Sequence, residues 1–175
     1  MSKTKRINEL LKRTESLMKG ERWGDAISLL KENCRVVEKH SELLWNCGWC
    51  YFKLERMNLA EKYLLRAMHL TPESHRCKFG LGVVYLKKKQ YKKAESLLYE
   101  ALQTKESYVA RISLALAYLA QGKVEEAEKA HLDGLRLKPK ESERYKSYAA
   151  FLSDVGRASE AHRMSRRAKE LQHIN

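Results

Sequence analysis

The sequence predicts an all-α fold, a right-handed α-solenoid of five antiparallel helix pairs. Glycine (8) and proline (2) are scarce among the 175 residues, and this scarcity favours long helices joined by short turns. The same residue pattern also recurs about every 34 positions, which is typical of stacked repeats. A hydrophobic content of 43% indicates a folded chain.

Four positions keep their spacing along the chain and define the repeat. Gly48, Tyr51, Ala60 and Ala67 recur 34 residues later as Gly82, Tyr85, Ala94 and Ala101, and again as Ala115, Tyr118, Ala127 and Gly134. The register predicts a single array over residues 1–175, with units at about 7–40, 41–74, 75–107, 108–141 and 142–175.

Each unit has the pattern of two helices that pack against each other. Apolar residues recur at helical spacing, and a short turn such as Gln121-Gly122-Lys123 or Gly20-Glu21-Arg22 interrupts them midway. Glycine suits such a turn because a helix often ends in a left-handed residue. Small residues such as Gly48 and Ala60 are expected where the helices touch. One pair cannot bury its apolar face alone, so the pairs are expected to stack.

The pattern resembles the tetratricopeptide repeat (TPR) family over nearly the whole chain. In unit 75–107 the positions of that signature are occupied by Leu81-Gly82, Tyr85, Tyr91, Ala94, Leu98 and Ala101. The sequence departs from the signature at Thr14, Asn33, Gly134 and Ser165. The resemblance implies a non-catalytic protein-interaction scaffold or adaptor whose first helices line a concave groove.

The same resemblance assigns the groove-facing positions, and on a helix they form one stripe opposite the Gly/Tyr face. The stripe is apolar, and exposed apolar patches of this kind usually mark partner sites. The expected anchors are Trp45, Trp49, Phe52, Phe79, Val83, Leu86, Ile112 and Leu116, and the expected orienting groups are Asn46, Lys53, Arg76 and Lys87. Lys53, Arg76 and Lys87 form a basic rim around the apolar stripe. Together the two features predict an apolar or amphipathic peptide with acidic residues as the ligand.

Two other functions stay open at this point. The stripe could pack against a second copy, which would make the chain a self-associating structural module and a homo-oligomer. The net charge of +13 could instead serve a basic nucleic-acid or anionic-surface binder, although no nucleic-acid motif accompanies it. Chaperone C-terminal tails are expected not to bind, because Glu15 would repel a carboxylate where the family's clamp needs a polar or basic residue.

The sequence predicts no catalysis, cofactor or metal. Cys47-Gly48-Trp49-Cys50 is similar to a thioredoxin motif, but no strand precedes it, and in the repeat register both cysteines are expected to be small core residues. Besides Cys47 and Cys50, the cysteines and histidines show no second paired spacing of the kind that a metal site requires. The first eight residues are polar and basic, and no apolar stretch is long enough to cross a bilayer. A cytoplasmic location is therefore expected.

Overall fold

A computed structural model describes residues 3–172, and every regular element among them is a helix. Residues 1–2 and 173–175, including the expected end of the fifth repeat, lie outside the described residues. The chain divides into two compact units, Met1–Gln90 (unit 1) and Tyr91–Asn175 (unit 2). No helix within residues 3–172 is both long enough and apolar enough to cross a bilayer.

Unit 1 contains six helices. Helix α1 packs on α2, α2 packs on α4, and α4 packs on both α5 and α6. The helices are α1 (Lys3–Lys19), α2 (Trp23–Glu32), α3 (Cys34–Val37), α4 (Ser41–Lys53), α5 (Met57–Leu70) and α6 (His75–Lys87).

Unit 2 contains five helices, and each packs on the next along the chain. They are α7 (Tyr91–Thr104), α8 (Tyr108–Leu119), α9 (Val124–Leu137), α10 (Ser142–Asp154) and α11 (Ala158–Gln172). First and second helices alternate along the described chain, and the short helix α3 is an additional element between α2 and α4.

The turns after α1, α4, α6, α8 and α10 share one backbone conformation. Each contains one left-handed residue, with φ between 56° and 80°. These residues are Glu21, Glu55, Lys89, Gly122 and Gly156. The next N–H then donates to the carbonyl five residues back, as from Arg56 to Tyr51 (2.9 Å), which is the Schellman ending of a helix.

The turn prediction was right about the conformation and wrong about one residue. In the first turn the left-handed residue is Glu21, not Gly20. The Gly20 N–H still donates to Ser16 (3.1 Å) in the helical pattern, so the chain reverses one residue later. Glycine is thus preferred in this turn but is not required, and three of the five turns hold a glutamate or a lysine.

The small residues lie where helices approach most closely. A Cβ atom added to Gly48 would lie 2.6 Å from Leu64 Cγ and 3.2 Å from the Ala60 carbonyl oxygen. Ala60 and Leu64 are fully buried in α5. The spacing between α4 and α5 therefore depends on the absence of a side chain at Gly48.

Gly134 has a structural reason for its departure from the family pattern. An added Cβ would lie 3.2 Å from the Tyr108 ring. The Arg144 guanidinium lies 4.1 Å from the centroid of that ring, and it donates to the Gly134 carbonyl at 2.5 Å. Glycine at this position leaves room for Tyr108, against which Arg144 stacks.

His131 is buried within the core of unit 2. Its ring centroid lies 4.9 Å from that of Phe151 and 5.8 Å from that of Tyr148. Burial lowers the pKa of His131 to about 4, against a smaller opposing effect of Glu128. Tyr148 (2.6 Å) and Arg157 (2.7 Å) both donate to Glu128, so the carboxylate that opposes this pKa shift already has two partners.

We predict that Gly48→Ala lowers the free energy of unfolding by about 1–3 kcal/mol, because the new methyl group overlaps Leu64. In an open helix the same change would be stabilising. Gly24→Ala in α2 is the matched control, since nothing lies within 4 Å of an added Cβ there. Urea unfolding of both variants measures the difference. Equal stabilities of the two variants would contradict the close contact.

We also predict that unit 2 loses stability as the pH falls from about 6.5 towards 4. In that window the unfolded chain protonates His131 and the folded chain does not, so acid favours unfolding by at most about 1.4 kcal/mol per pH unit. Carboxylates with lowered pKa values, such as Glu128 and Glu141, also lose their contribution to stability in acid, but only below about pH 4.5. Urea unfolding at about pH 7 and about pH 5 measures the loss.

His131→Phe is expected to reduce this pH dependence while keeping an aromatic ring against Phe151. An unchanged dependence in the variant would show that another group titrates.

Candidate functional site

Helix α4 brings three aromatic side chains onto one face. Trp45, Trp49 and Phe52 follow the i, i+4, i+7 spacing of a helical stripe. The ring centroids of Trp45 and Trp49 lie 5.2 Å apart and those of Trp49 and Phe52 lie 5.1 Å apart, both pairs stacked. Phe79 of α6 lies 6.0 Å from Trp49. We refer to these four residues as the aromatic strip.

The strip is buried at one end and open at the other. Trp45 is only 7% exposed, and its indole N–H donates to the Arg76 carbonyl oxygen (2.9 Å). Gly80 leaves the space for this ring, since a Cβ there would lie 3.1 Å from Trp45 Nε1. Trp49, Phe52 and Phe79 are half-buried. Trp45 was expected to be an exposed anchor of the groove, and that expectation is wrong. Its buried ring packs against Trp49 and supports the exposed part of the strip.

Asn46 also differs from its expected place on an open surface. Its side chain is fully buried, and neither its amide oxygen nor its amide nitrogen has a hydrogen-bond partner in the described chain. The family resemblance assigned Asn46 to the groove-facing stripe of α4. It did not reveal that neighbouring helices close over it.

Three cations were predicted beside the groove, and two of them face aromatic rings. The Arg76 guanidinium lies 3.8 Å from the Trp45 ring centroid, and Lys53 Nζ lies 5.4 Å from the Trp23 ring centroid. Lys53 and Lys87 are exposed and Arg76 is half-buried. Among residues 3–172 no carboxylate forms an ion pair with Lys53, Arg76 or Lys87.

Trp23 is a residue of this site that the sequence analysis did not select. It begins α2, so it falls outside the first-helix positions that the family resemblance assigns to the groove. Its half-buried ring lies beneath Lys53. The only signal in the sequence was a tryptophan next to a predicted turn.

The remaining predicted anchors lie on α6 and α8. Val83 and Leu86 are half-buried in unit 1. In unit 2, Ile112 is half-buried and Leu116 is 51% exposed, and Val109, one turn before Ile112, is 60% exposed. Helix α8 of unit 2 therefore carries an apolar stripe of its own, formed by Val109, Ile112 and Leu116.

The cysteines of α4 are core residues, as predicted. Cys47 and Cys50 are buried and unbonded to each other. Burial raises the pKa of each thiol to about 12. A reactive thiol requires the opposite shift. Across residues 3–172, no three or more His, Cys, Asp or Glu side chains are grouped so that they could hold a metal ion.

An all-helical chain of repeated helix pairs, each with the same left-handed turn, is a helical-repeat protein. Three tetratricopeptide repeat models match it, over residues 41–74, 59–109 and 85–150, and together they cover more than half of the sequence. The chain belongs to the tetratricopeptide repeat family. No curated protein matches the sequence.

Solved structures of MamA are similar to this chain over nearly its full length. MamA 41-end from Desulfovibrio magneticus RS-1 is 21% identical, with 96% of each chain covered and a TM-score of 0.80. The MamA RS-1 ArsTM double mutant is 21% identical, with 95% of this chain and 94% of that chain covered and a TM-score of 0.78. A further MamA crystal structure is 20% identical, with 92% and 95% covered and a TM-score of 0.75.

At this level of identity the MamA structures show the fold and nothing more. The expected fold class, an all-α TPR-like solenoid, is confirmed. Family membership supports a protein–protein interaction scaffold as the general role.

We predict that Asn46→Val raises the free energy of unfolding by about 1 kcal/mol. The valine removes two buried polar atoms without partners, each of which costs stability, and its helix propensity is similar to that of asparagine. Asn8→Val on the exposed side of α1 is the control, with an expected change of about 0.5 kcal/mol or less. Urea unfolding compares the two variants. A large loss of stability at Asn46 would show that its amide has a partner.

Proposed function

We propose that this chain is a non-catalytic adaptor that binds an apolar peptide segment with acidic residues on the aromatic strip of unit 1. One observation carries the proposal: three half-buried rings, Trp49 stacked on Phe52 and tilted against Phe79, lie on α4 and α6, which also carry cations that no carboxylate of the described chain neutralises. Aromatic side chains with an apolar face open to solvent are the usual centres of binding energy in protein interfaces.

The ring geometry supports a binding role because the strip is held in place before a partner arrives. Trp45 is fixed by its hydrogen bond to the Arg76 carbonyl and by the Arg76 guanidinium above its ring. Trp49 stacks on Trp45 and Phe52 stacks on Trp49. A ligand side chain would therefore meet rings that are already ordered, which lowers the entropy cost of binding.

The apolar stripe of α8 is proposed as a separate protein-binding surface of unit 2. Val109 and Leu116 are more than half exposed and lie two helical turns apart, with Ile112 between them, and an exposed apolar patch of this kind favours a protein partner. We also propose a cytoplasmic location. We propose that the repeats form a single array, because the residue pattern recurs about every 34 positions along the sequence.

The test is selection of peptides from a displayed random library against the whole chain, followed by titration calorimetry. Trp49→Ala is expected to weaken a selected peptide about 30-fold or more, because removal of a central aromatic anchor costs about 2 kcal/mol. Tyr99→Ala on α7, where the ring is 52% exposed, is the matched control and should bind normally. Circular dichroism checks that each variant is folded.

Two outcomes would contradict the proposal. The first is a folded Trp49→Ala variant, together with Phe52→Ala, that binds the selected peptides as tightly as the parent chain. The second is a concentration-dependent mass in light scattering that Trp49→Ala abolishes, which would favour self-association through the strip.

A further inference from the structure

A large apolar residue recurs at one exposed position of the second helices. Leu65 of α5, Tyr99 of α7 and Leu132 of α9 are separated by 34 and 33 residues, so they hold equivalent positions in three successive repeats. Their exposed fractions are 40%, 52% and 37%. The equivalent residues of the first and last repeats are Lys31 and Arg166, both exposed. Single exposed apolar residues are ordinary, but recurrence at one position of the middle repeats indicates contact with a partner.

In unit 2 this position borders a groove. Helices α7 and α9 both pack on α8, and a cavity of about 320 Å³ is lined by residues of all three helices. A second cavity of about 740 Å³ adjoins the first, since Tyr99 and Tyr118 line both. We refer to the two cavities together as the α7–α9 groove. Its apolar lining consists of Tyr99, Leu102, Leu114, Tyr118 and Ala130. The exposed α8 stripe does not contribute to it.

The main polar groups of the α7–α9 groove are already paired with one another. Glu95 accepts hydrogen bonds from Gln121 (2.7 Å) and Lys123 (2.8 Å). Arg111 pairs with Asp133 (3.4 Å) and with Glu106. Among the described lining residues, cations and carboxylates are nearly equal in number. The groove therefore offers an apolar surface of little net charge, although the whole chain carries +13.

We propose that the α7–α9 groove binds an amphipathic α-helix of a partner protein whose charges are balanced, through apolar contacts centred on Tyr99 and Tyr118. A helix satisfies its own backbone hydrogen bonds, which matters here because the polar groups of the groove are already engaged. An extended segment would place unpaired backbone N–H and C=O groups against this surface, at a cost in free energy. Apolar side chains at i, i+3, i+4 and i+7 of the helix would cover the two tyrosine rings.

Charge favours another protein over a second copy as the occupant. Two copies that each carry +13 repel each other, and the near-neutral groove supplies no compensating attraction. Binding there depends on the burial of apolar area, so added salt is expected to change the affinity little. This salt response distinguishes the α7–α9 groove from the aromatic strip, where the proposed ligand is acidic.

The experiment selects binders to the whole chain from a displayed library of amphipathic helical peptides of about 18 residues, or five turns. The apolar face is randomised among apolar residues, and the polar face carries equal numbers of Glu and Lys. Each selected peptide is then titrated by calorimetry, and so is a version with proline at its centre, which breaks the helix. The proline version is expected to bind about tenfold or more weakly. Between about 0.05 M and about 0.5 M salt the affinity should change less than about threefold.

Variants of the chain test the location of the site. Tyr99→Ala is expected to weaken the selected helices about tenfold or more, because it removes the central aromatic contact. Peptides bound to the aromatic strip should be unaffected by the same change. Leu137→Ala is the matched control, since Leu137 is also a large apolar residue of α9, is 50% exposed and lies outside the lining of the groove. It should bind the selected helices normally, and circular dichroism checks that both variants are folded.

Four outcomes would overturn this inference. The first is a library that yields no helix whose binding depends on Tyr99. The second is equal binding of the proline versions, which would show that the ligand is not helical. The third is loss of binding in Trp49→Ala but not in Tyr99→Ala, which would place the helix on the aromatic strip and leave the proposed function intact. The fourth is a concentration-dependent mass in light scattering that Tyr99→Ala abolishes, which would make a second copy the occupant.

Discussion

The rest of unit 1 depends on the close contact between α4 and α5. In α4 and α5 this contact is made where Gly48 has no side chain and where Leu64 and Ala60 are fully buried. Interior packing is dense, so no large side chain of α4 can enter that seam. The tryptophans of α4 must therefore lie on its other faces, and Trp49 meets Phe79 of α6.

This arrangement leaves an ordered and partly exposed aromatic surface on α4. Trp45 lies deepest and receives support from both the backbone and the side chain of Arg76. Trp49 and Phe52 stack outward from it and stay partly open to solvent. Each exposed ring packs on a more buried one, so Trp49 and Phe52 stay ordered while one part of each ring remains open to solvent.

The net charge of the sequence does not describe how individual cations are paired with carboxylates. Many basic residues of unit 2 are engaged by carboxylates, as Arg157 is by Glu128 and Lys123 is by Glu95 (2.8 Å). Such pairs contribute little to stability where they are exposed, but they remove a cation from competition for ligands. Lys53 faces an aromatic ring instead. A high positive charge in the sequence therefore does not by itself indicate a nucleic-acid surface.

The sequence by itself determined the helix pairs, their register and the burial of Cys47 and Cys50. The reason is that a 34-residue repeat allows each position to be compared with the equivalent positions of the other repeats. It also placed Trp49 and Phe52 on one helical stripe. Only the tertiary structure decided that Trp45 and Asn46 are covered and that Trp23 approaches Lys53. Helical periodicity assigns a residue to a face of its own helix, whereas burial and cation–aromatic contacts depend on which neighbouring helix covers that face.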